Sequence, residues 1–181
     1  MKIKSFCVIL LAGILLAACG NSNEKKALGH YTYQHGWAYP VEEGWLNVHE
    51  TGTMDFLAKG EALDSAQQVY TLSTLDSAKV TFVFRYVSPS RWRIEDTSFY
   101  FSGVEEDFRM ELLSSDVDGP DSTLAKYDSL WRDSFARKTI TQITGGVAHE
   151  VCFRLASLTD HELVWNYTYP DGHTDTWRFV R

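Results

Sequence analysis

Three His-Glu dipeptides (His49-Glu50, His149-Glu150 and His161-Glu162) and two acidic runs (Glu42-Glu43 and Glu105-Glu106-Asp107) hold the side chains best suited by type to chemistry. Histidines and carboxylates hold zinc when several of them converge. Two carboxyls ~5–9 Å apart across a cleft can hydrolyse a glycosidic bond. The spacing argues against both uses. Neighbouring residues on a strand point to opposite faces, so the members of a His-Glu dipeptide do not share a site, and adjacent acids near a turn read as a solvated surface. The sequence has no Gly-x-Ser-x-Gly elbow, phosphate loop, His-Glu-x-x-His, Cys-x-x-Cys or dinucleotide fingerprint. The expectation is no catalytic residue, no metal and no cofactor, in a chain that is not an enzyme.

The N-terminus carries chemistry of another kind. Lys2 and Lys4 precede an almost unbroken apolar run from Phe6 to Ala18, the layout of a secretory signal peptide. At about 13 residues, the run falls short of the roughly 20 that span a bilayer as a helix. It ends in Leu16-Ala17-Ala18-Cys19, which resembles the lipobox of bacterial lipoproteins. The resemblance implies cleavage before Cys19 and a diacylglyceryl group on its sulfur. At ~0.8 kcal/mol per buried CH₂, two or more acyl chains anchor durably where one does not. The expected organisation is a signal peptide over 1–18, a lipidated N-terminus and short polar tether over 19–27, and a domain over 28–181. The expected location is the cell envelope, at the outer membrane.

Cleavage removes Lys2 and Lys4 from a chain whose formal charge is already −7, and an acidic domain has no basic field to recruit nucleic acid. Cys7 leaves with the signal and Cys19 carries lipid, so Cys152 has no partner for a disulfide. In the strand-like Val151-Cys152-Phe153-Arg154-Leu155, Cys152 is expected to be a small buried residue.

Positioning elements follow from periodicity. Aromatics make up 14% of the chain, a load that favours strands. Strands are expected near Gly29–Gln34, Trp45–Leu57, Glu61–Leu72, Lys79–Val87, Trp92–Ile94 continuing to Phe99–Ser102, Asp107–Leu113, Ala148–Leu155, Glu162–Tyr169 and His173–Val180. In Lys79–Val87 the residues Val80, Phe82, Phe84 and Tyr86 share one face. Tyr169-Pro170-Asp171-Gly172-His173 predicts a three-residue hairpin loop. That loop sets Tyr167 against Asp175, Trp165 against Trp177 and Leu163 against Phe179. Asp121 to Lys138 places Leu124, Tyr127, Trp131 and Phe135 at helical spacing, which predicts one amphipathic helix bedded against the sheet. The fold class is all-β: an antiparallel up-and-down β-barrel of eight or nine strands, with that helix inserted before the last three.

The lipobox, the short tether, Leu28-Gly29-His30-Tyr31-Thr32-Tyr33, Gly52-Thr53-Met54-Asp55-Phe56, Trp92-Arg93-Ile94 leading to Phe99-Tyr100-Phe101, and the closing Trp177-Arg178-Phe179-Val180-Arg181 together resemble the lipocalin-like, calycin-type lipoproteins of Bacteroidetes-type bacteria. Lipocalins open on Gly-x-Trp, whose ring packs under an arginine near the last strand. Here Gly29-His30-Tyr31 and Arg178 or Arg181 stand nearest that pattern, with Tyr31 in place of the tryptophan. The resemblance implies a barrel that holds a small hydrophobic or amphipathic ligand, and Phe82, Phe84, Trp165, Tyr167 and Trp177 are the interior candidates. The alternative is a non-enzymatic envelope module that contacts a glycan or partner protein through exposed aromatics such as Trp37, Tyr39, Trp45 and Tyr169.

Overall fold

A computed structural model describes residues 22–181. The signal peptide expected at 1–18 and the lipidation expected at Cys19 lie outside the described residues. The strands are β1 (Gly29–Val41), β2 (Gly44–Leu57), β3 (Glu61–Thr74), β4 (Lys79–Glu95), β5 (Ser98–Gly103), β6 (Arg109–Asp118), β7 (Val151–Leu158), β8 (Glu162–Thr168) and β9 (Thr174–Val180). The helices are α1 (Ser22–Ala27), α2 (Asp121–Leu124) and α3 (Ser129–Gly146). Neighbours in the sheet run β3-β2-β1-β9-β8-β7-β5-β4-β6, and β3 also pairs with β4. Eight strands therefore close into an antiparallel barrel. The ninth, β6, lies beside β4, whose Lys79–Val87 half pairs with β6 and whose Ser90–Glu95 half pairs with β5. The fold is all-β, with α2 and α3 inserted between β6 and the last three strands.

Alternation of side chains explains the closure. Along β2, β3 and most of β4, buried and accessible residues alternate one for one, so each strand has an apolar face that only a second layer or a closed barrel can cover. The long strands β1–β4 serve two cores. One core, at the α1 end, gathers Tyr31, Phe56, Trp92, Phe99, Trp165 and Phe179. In the other, α3 lies across Val80, Phe82, Phe84, Leu72 and Tyr127, and the Phe135 ring stacks on Phe82 with centroids 4.6 Å apart. Between the two, Gly52 lets β1, β2 and β3 close in. A Cβ there would stand 2.6 Å from the Ala66 Cβ and 2.9 Å from the Tyr33 ring.

The last hairpin has the predicted register, with Tyr167 opposite Asp175, Trp165 opposite Trp177 and Leu163 opposite Phe179. Its loop is closed by Tyr169 N–H donating to the His173 carbonyl, and by Gly172 at φ +87° donating to Tyr169. At the closed end the Arg181 guanidinium lies 4.8 Å over the Tyr31 ring and donates to its hydroxyl at 2.7 Å. Gly29 makes room, since a Cβ there would meet Arg181 Nε at 3.2 Å. Of the two terminal arginines, Arg181 rather than Arg178 therefore covers the Tyr31 ring.

Several expectations need correction. The single helix over 121–138 is two helices, because Asp128 turns away from helical geometry and its carboxylate caps Trp131 N–H at 2.9 Å; α3 then runs on to Gly146. Trp92–Ile94 belongs to β4, and the turn between Glu95 and Ser98 reverses the chain instead of continuing it. Cys152 is exposed, because the phase of β7 gives the inward positions to Val151, Phe153 and Leu155. The second part of the expected tether, Ser22–Ala27, is helix α1, with Ala27 fully buried and accepting from the Tyr31 hydroxyl.

Trp165 is 3% exposed and touches Phe99, Phe153 and Phe179 at ring-centroid distances of 4.4–4.8 Å. Trp165→Ala is therefore expected to cost about 3–5 kcal/mol in a urea unfolding titration. An unchanged midpoint would show that the ring is not part of the core.

Candidate functional site

β1 and β9 hydrogen-bond only at Thr32 with Val180 and Tyr33 with Phe179, although β1 continues to Val41 and β9 reaches back to Thr174. Beyond Tyr33 the two strands part. The next inward pair, His35 and Trp177, fills the seam with rings stacked at 3.8 Å, and Trp37 lies 5.4 Å from His35 and 6.4 Å from Trp177. All three are half-buried, as are Phe153 and Tyr167, which meet edge to face at 5.7 Å. The end of the barrel away from α1 therefore has a lip of accessible aromatic rings. Desolvation lowers the His35 pKa, opposed by the nearby charges of Asp175 and Glu50. Its ring is thus neutral near pH 7 and within electrostatic reach of both carboxylates.

Below this lip, where the two cores meet, the interior turns polar. Tyr33, Glu50, Asp64, Gln68 and Tyr86 are all buried. The Tyr33 hydroxyl lies 2.7 Å from Glu50 Oε1, 2.8 Å from Asp64 Oδ1 and 3.0 Å from the Tyr86 hydroxyl. Tyr86 in turn lies 2.9 Å from Glu50 Oε1 and 2.8 Å from Asp64 Oδ2. Gln68 donates to Glu50 Oε2 at 2.5 Å and accepts from Tyr70 at 3.1 Å. Each phenol has one hydrogen. Two phenol hydrogens cannot fill five oxygen–oxygen contacts, and a hydrogen on one carboxyl supplies a third donor to the cluster. Burial, and then the charge of Glu50, push the Asp64 pKa up to about 7, against the hydrogen bonds from Tyr33, Tyr86 and the Ser65 backbone. Asp64 is the carboxyl that keeps the hydrogen. Burial, followed by Asp64 and Glu50, also holds the Tyr33 and Tyr86 phenols well above their ordinary range, so both stay protonated as donors.

The five interior candidates from the sequence separate into two groups. Phe82 and Phe84 are fully buried under α3, and Trp165 is buried in the core at the α1 end. Tyr167 and Trp177 reach the lip. The indole N–H of Trp165 has no protein acceptor. Of the exposed-aromatic candidates, Tyr39 is 41% exposed, Trp45 56% and Tyr169 40%. They sit on the β1–β2 and β8–β9 hairpins, at the same end as the lip, while Trp37 forms part of the lip itself. Sequence reasoning missed the polar layer. Its signal was present: Glu50, Asp64 and Gln68 fall in the apolar phase of β2 and β3, where an acid or amide interrupts the inward series.

An open trough of about 750 Å³ lies elsewhere, on the outer face of β1–β4 and β9, among Thr32, Gln34, Thr51, Gln67, Arg85 and Arg178. Its two arginines are already paired, Arg85 with Glu111 and Arg178 with Glu162, and Tyr33 and Tyr86 of the polar layer also line it, whereas His35, Trp37 and Trp177 do not. Among the described residues no group of three or more His, Cys, Asp or Glu side chains gathers to hold a metal ion. His49 and Glu50 point apart, one exposed and one buried. The closed antiparallel barrel is compatible with a lipocalin-like fold. Compared with models of known protein families and with curated proteins, the chain matches none.

The polar layer carries a pH signature. With the Asp64 pKa raised above its unfolded value, the folded protein binds a hydrogen that the unfolded chain has released. The associated stability is full below about pH 4 and is lost as the pH rises through about 7. The urea midpoint of the native protein is expected to fall between about pH 5 and about pH 8, and Asp64→Asn should flatten that fall. An equal fall in the variant would assign the effect to other groups.

Proposed function

We propose that the chain is a lipid-anchored, extracytoplasmic lipoprotein of the lipocalin-like kind, which binds a small apolar or amphipathic ligand at the open end of its barrel and catalyses no reaction. The observation that carries this reading is the parting of β1 from β9. It leaves the inward-facing His35, Trp37 and Trp177 half-buried above a polar layer. Interior rings with one accessible edge suit an apolar body, and a few polar groups beneath them suit its polar end. The unsatisfied Trp165 N–H is a further donor within the same barrel.

Anchoring rests on the lipobox at Leu16–Cys19 and on its place beside the fold. α1 starts at Ser22 and docks on the closed end through Ala27. Only Gly20 and Asn21 separate Cys19 from it, a reach of about 10 Å when extended. In this reading the closed end faces the bilayer and the aromatic lip faces away. Tyr31 under Arg181 supports the lipocalin-like assignment. A second reading, an envelope module that docks a glycan or partner protein, is favoured by Tyr39, Trp45 and Tyr169, all exposed at that same outward end.

Native mass spectrometry of gently extracted protein separates the two readings. A co-purifying small molecule, lost in Trp177→Ala, is the expected result; ligand-free protein with a bound polypeptide or glycan would support the second reading instead. Cys19→Ser is expected to move the protein from the membrane fraction to the soluble one. A variant that still sediments with membranes would refute the anchor.

A further inference from the structure

From the distribution of charge around the aromatic lip, we infer that the ligand of the barrel is an organic cation, an ammonium group carried on an apolar or aromatic body. The inference rests on the binding site proposed above and names the class of molecule it takes.

The barrel interior is acidic. Glu50 and Asp64 lie in the polar layer, and Asp175 stands on the inward phase of β9 next to Trp177, half-buried, where it accepts from the Tyr169 hydroxyl at 2.9 Å and contacts His173 at 3.2 Å. The lysines and arginines of the strands occupy the outward phase, Arg85, Arg91, Arg154 and Arg178 among them, all exposed. Arg93, half-buried, lies over the Tyr100 ring on the outside, and Arg132 of α3 is bonded to Ser115 at the edge of β6. The neutral groups that answer the two buried carboxyls are phenols and an amide. Even with one hydrogen held between Glu50 and Asp64, a negative charge remains inside with no strand cation facing it. Burying an uncompensated charge is costly, so a ligand that brings a positive charge gains what an uncharged one does not.

The surface above these carboxyls is suited to a cation. Trp37, His35 and Trp177 form a contiguous ring platform. Aromatic faces attract ammonium groups, tryptophan most strongly, and that attraction grows when water is excluded. Glu50 approaches the platform from β2 and Asp175 from β9, one on each side of His35. A carboxylate ligand would meet repulsion from both.

The test uses the mature chain carrying Cys19→Ser and three probes of nearly equal shape: 2-phenylethyltrimethylammonium, its uncharged isostere (3,3-dimethylbutyl)benzene, and 3-phenylpropionate. Binding is followed by intrinsic tryptophan fluorescence and by calorimetry. The ammonium is expected to bind about tenfold or more tightly than the uncharged isostere, and the carboxylate most weakly. Asp175→Asn should reduce the advantage of the ammonium by about threefold or more while leaving the isostere unchanged. If isostere and cation bind equally, or the carboxylate binds best, the inference is overturned and the binding site stands. If none of the three binds, the inference and the site fall together.

Discussion

Two carboxyls and two phenols, buried where the two cores of the barrel meet, share fewer hydrogens than their close contacts require, and the rest of the molecule is organised around that shortage. Glu50 comes from β2, Asp64 from β3, Tyr86 from β4 and Tyr33 from β1, so four successive strands meet at one polar knot. A buried polar network is favourable only when every member is satisfied. Here satisfaction depends on the retained Asp64 hydrogen and on phenols held in their protonated form. Slipping any of the four strands by one residue would turn its member of the knot outward and leave the others unpaired. The knot therefore specifies register as well as charge.

Its position also divides the labour of the barrel. Toward α1 the interior is closed by interlocking rings, with Phe56 meeting Trp92, Phe99 and Trp165 edge to face and Arg181 sealing Tyr31. On the other side, β1 leaves β9, α3 covers one wall through Phe135 on Phe82, and the remaining rings stay accessible. Packing of this density at the α1 end holds the fold while His35, Trp37 and Trp177 stay half-buried at the other. The aromatic excess is thus architectural at the closed end and available for contact at the open one.

Much of the architecture was legible in the sequence because local chemistry dictated it. Pro170-Asp171-Gly172 specifies a loop length, the loop sets the register, and Leu163, Trp165, Trp177 and Phe179 follow. The alternation in Val80, Phe82, Phe84 and Tyr86 assigns a face without ambiguity. What escaped depends on the third dimension. Nothing local reveals that β1 and β9 separate after Tyr33, or that α3 buries Phe82 and Phe84 while Trp177 stays accessible. The helix break at Asp128 is masked by a stripe of Tyr127, Trp131 and Phe135 that keeps helical spacing across it. Cys152 was misplaced because five strand-like residues admit two phases, and only the pairing of Phe99 with Phe153 selects the one that turns the cysteine outward. Glu50 was visible within a His-Glu dipeptide, yet its partners Asp64 and Tyr86 lie on other strands, where adjacency is decided by closure of the barrel.

Infrared spectroscopy of the carboxyl groups tests the polar knot most directly, because a protonated carboxyl has a C=O stretch resolved from the bands of ionised carboxylates. At about pH 6 the surface acids are ionised and the Asp64 carboxyl, with its pKa near 7, is not. One protonated-carboxyl band in the native protein at that pH, missing from Asp64→Asn and fading as the pH is raised through about 7, is the predicted result. A native protein with no such band would mean that both buried acids are ionised, and would contradict the shared hydrogen on which the register, the interior charge and the chemistry of the open end have been built.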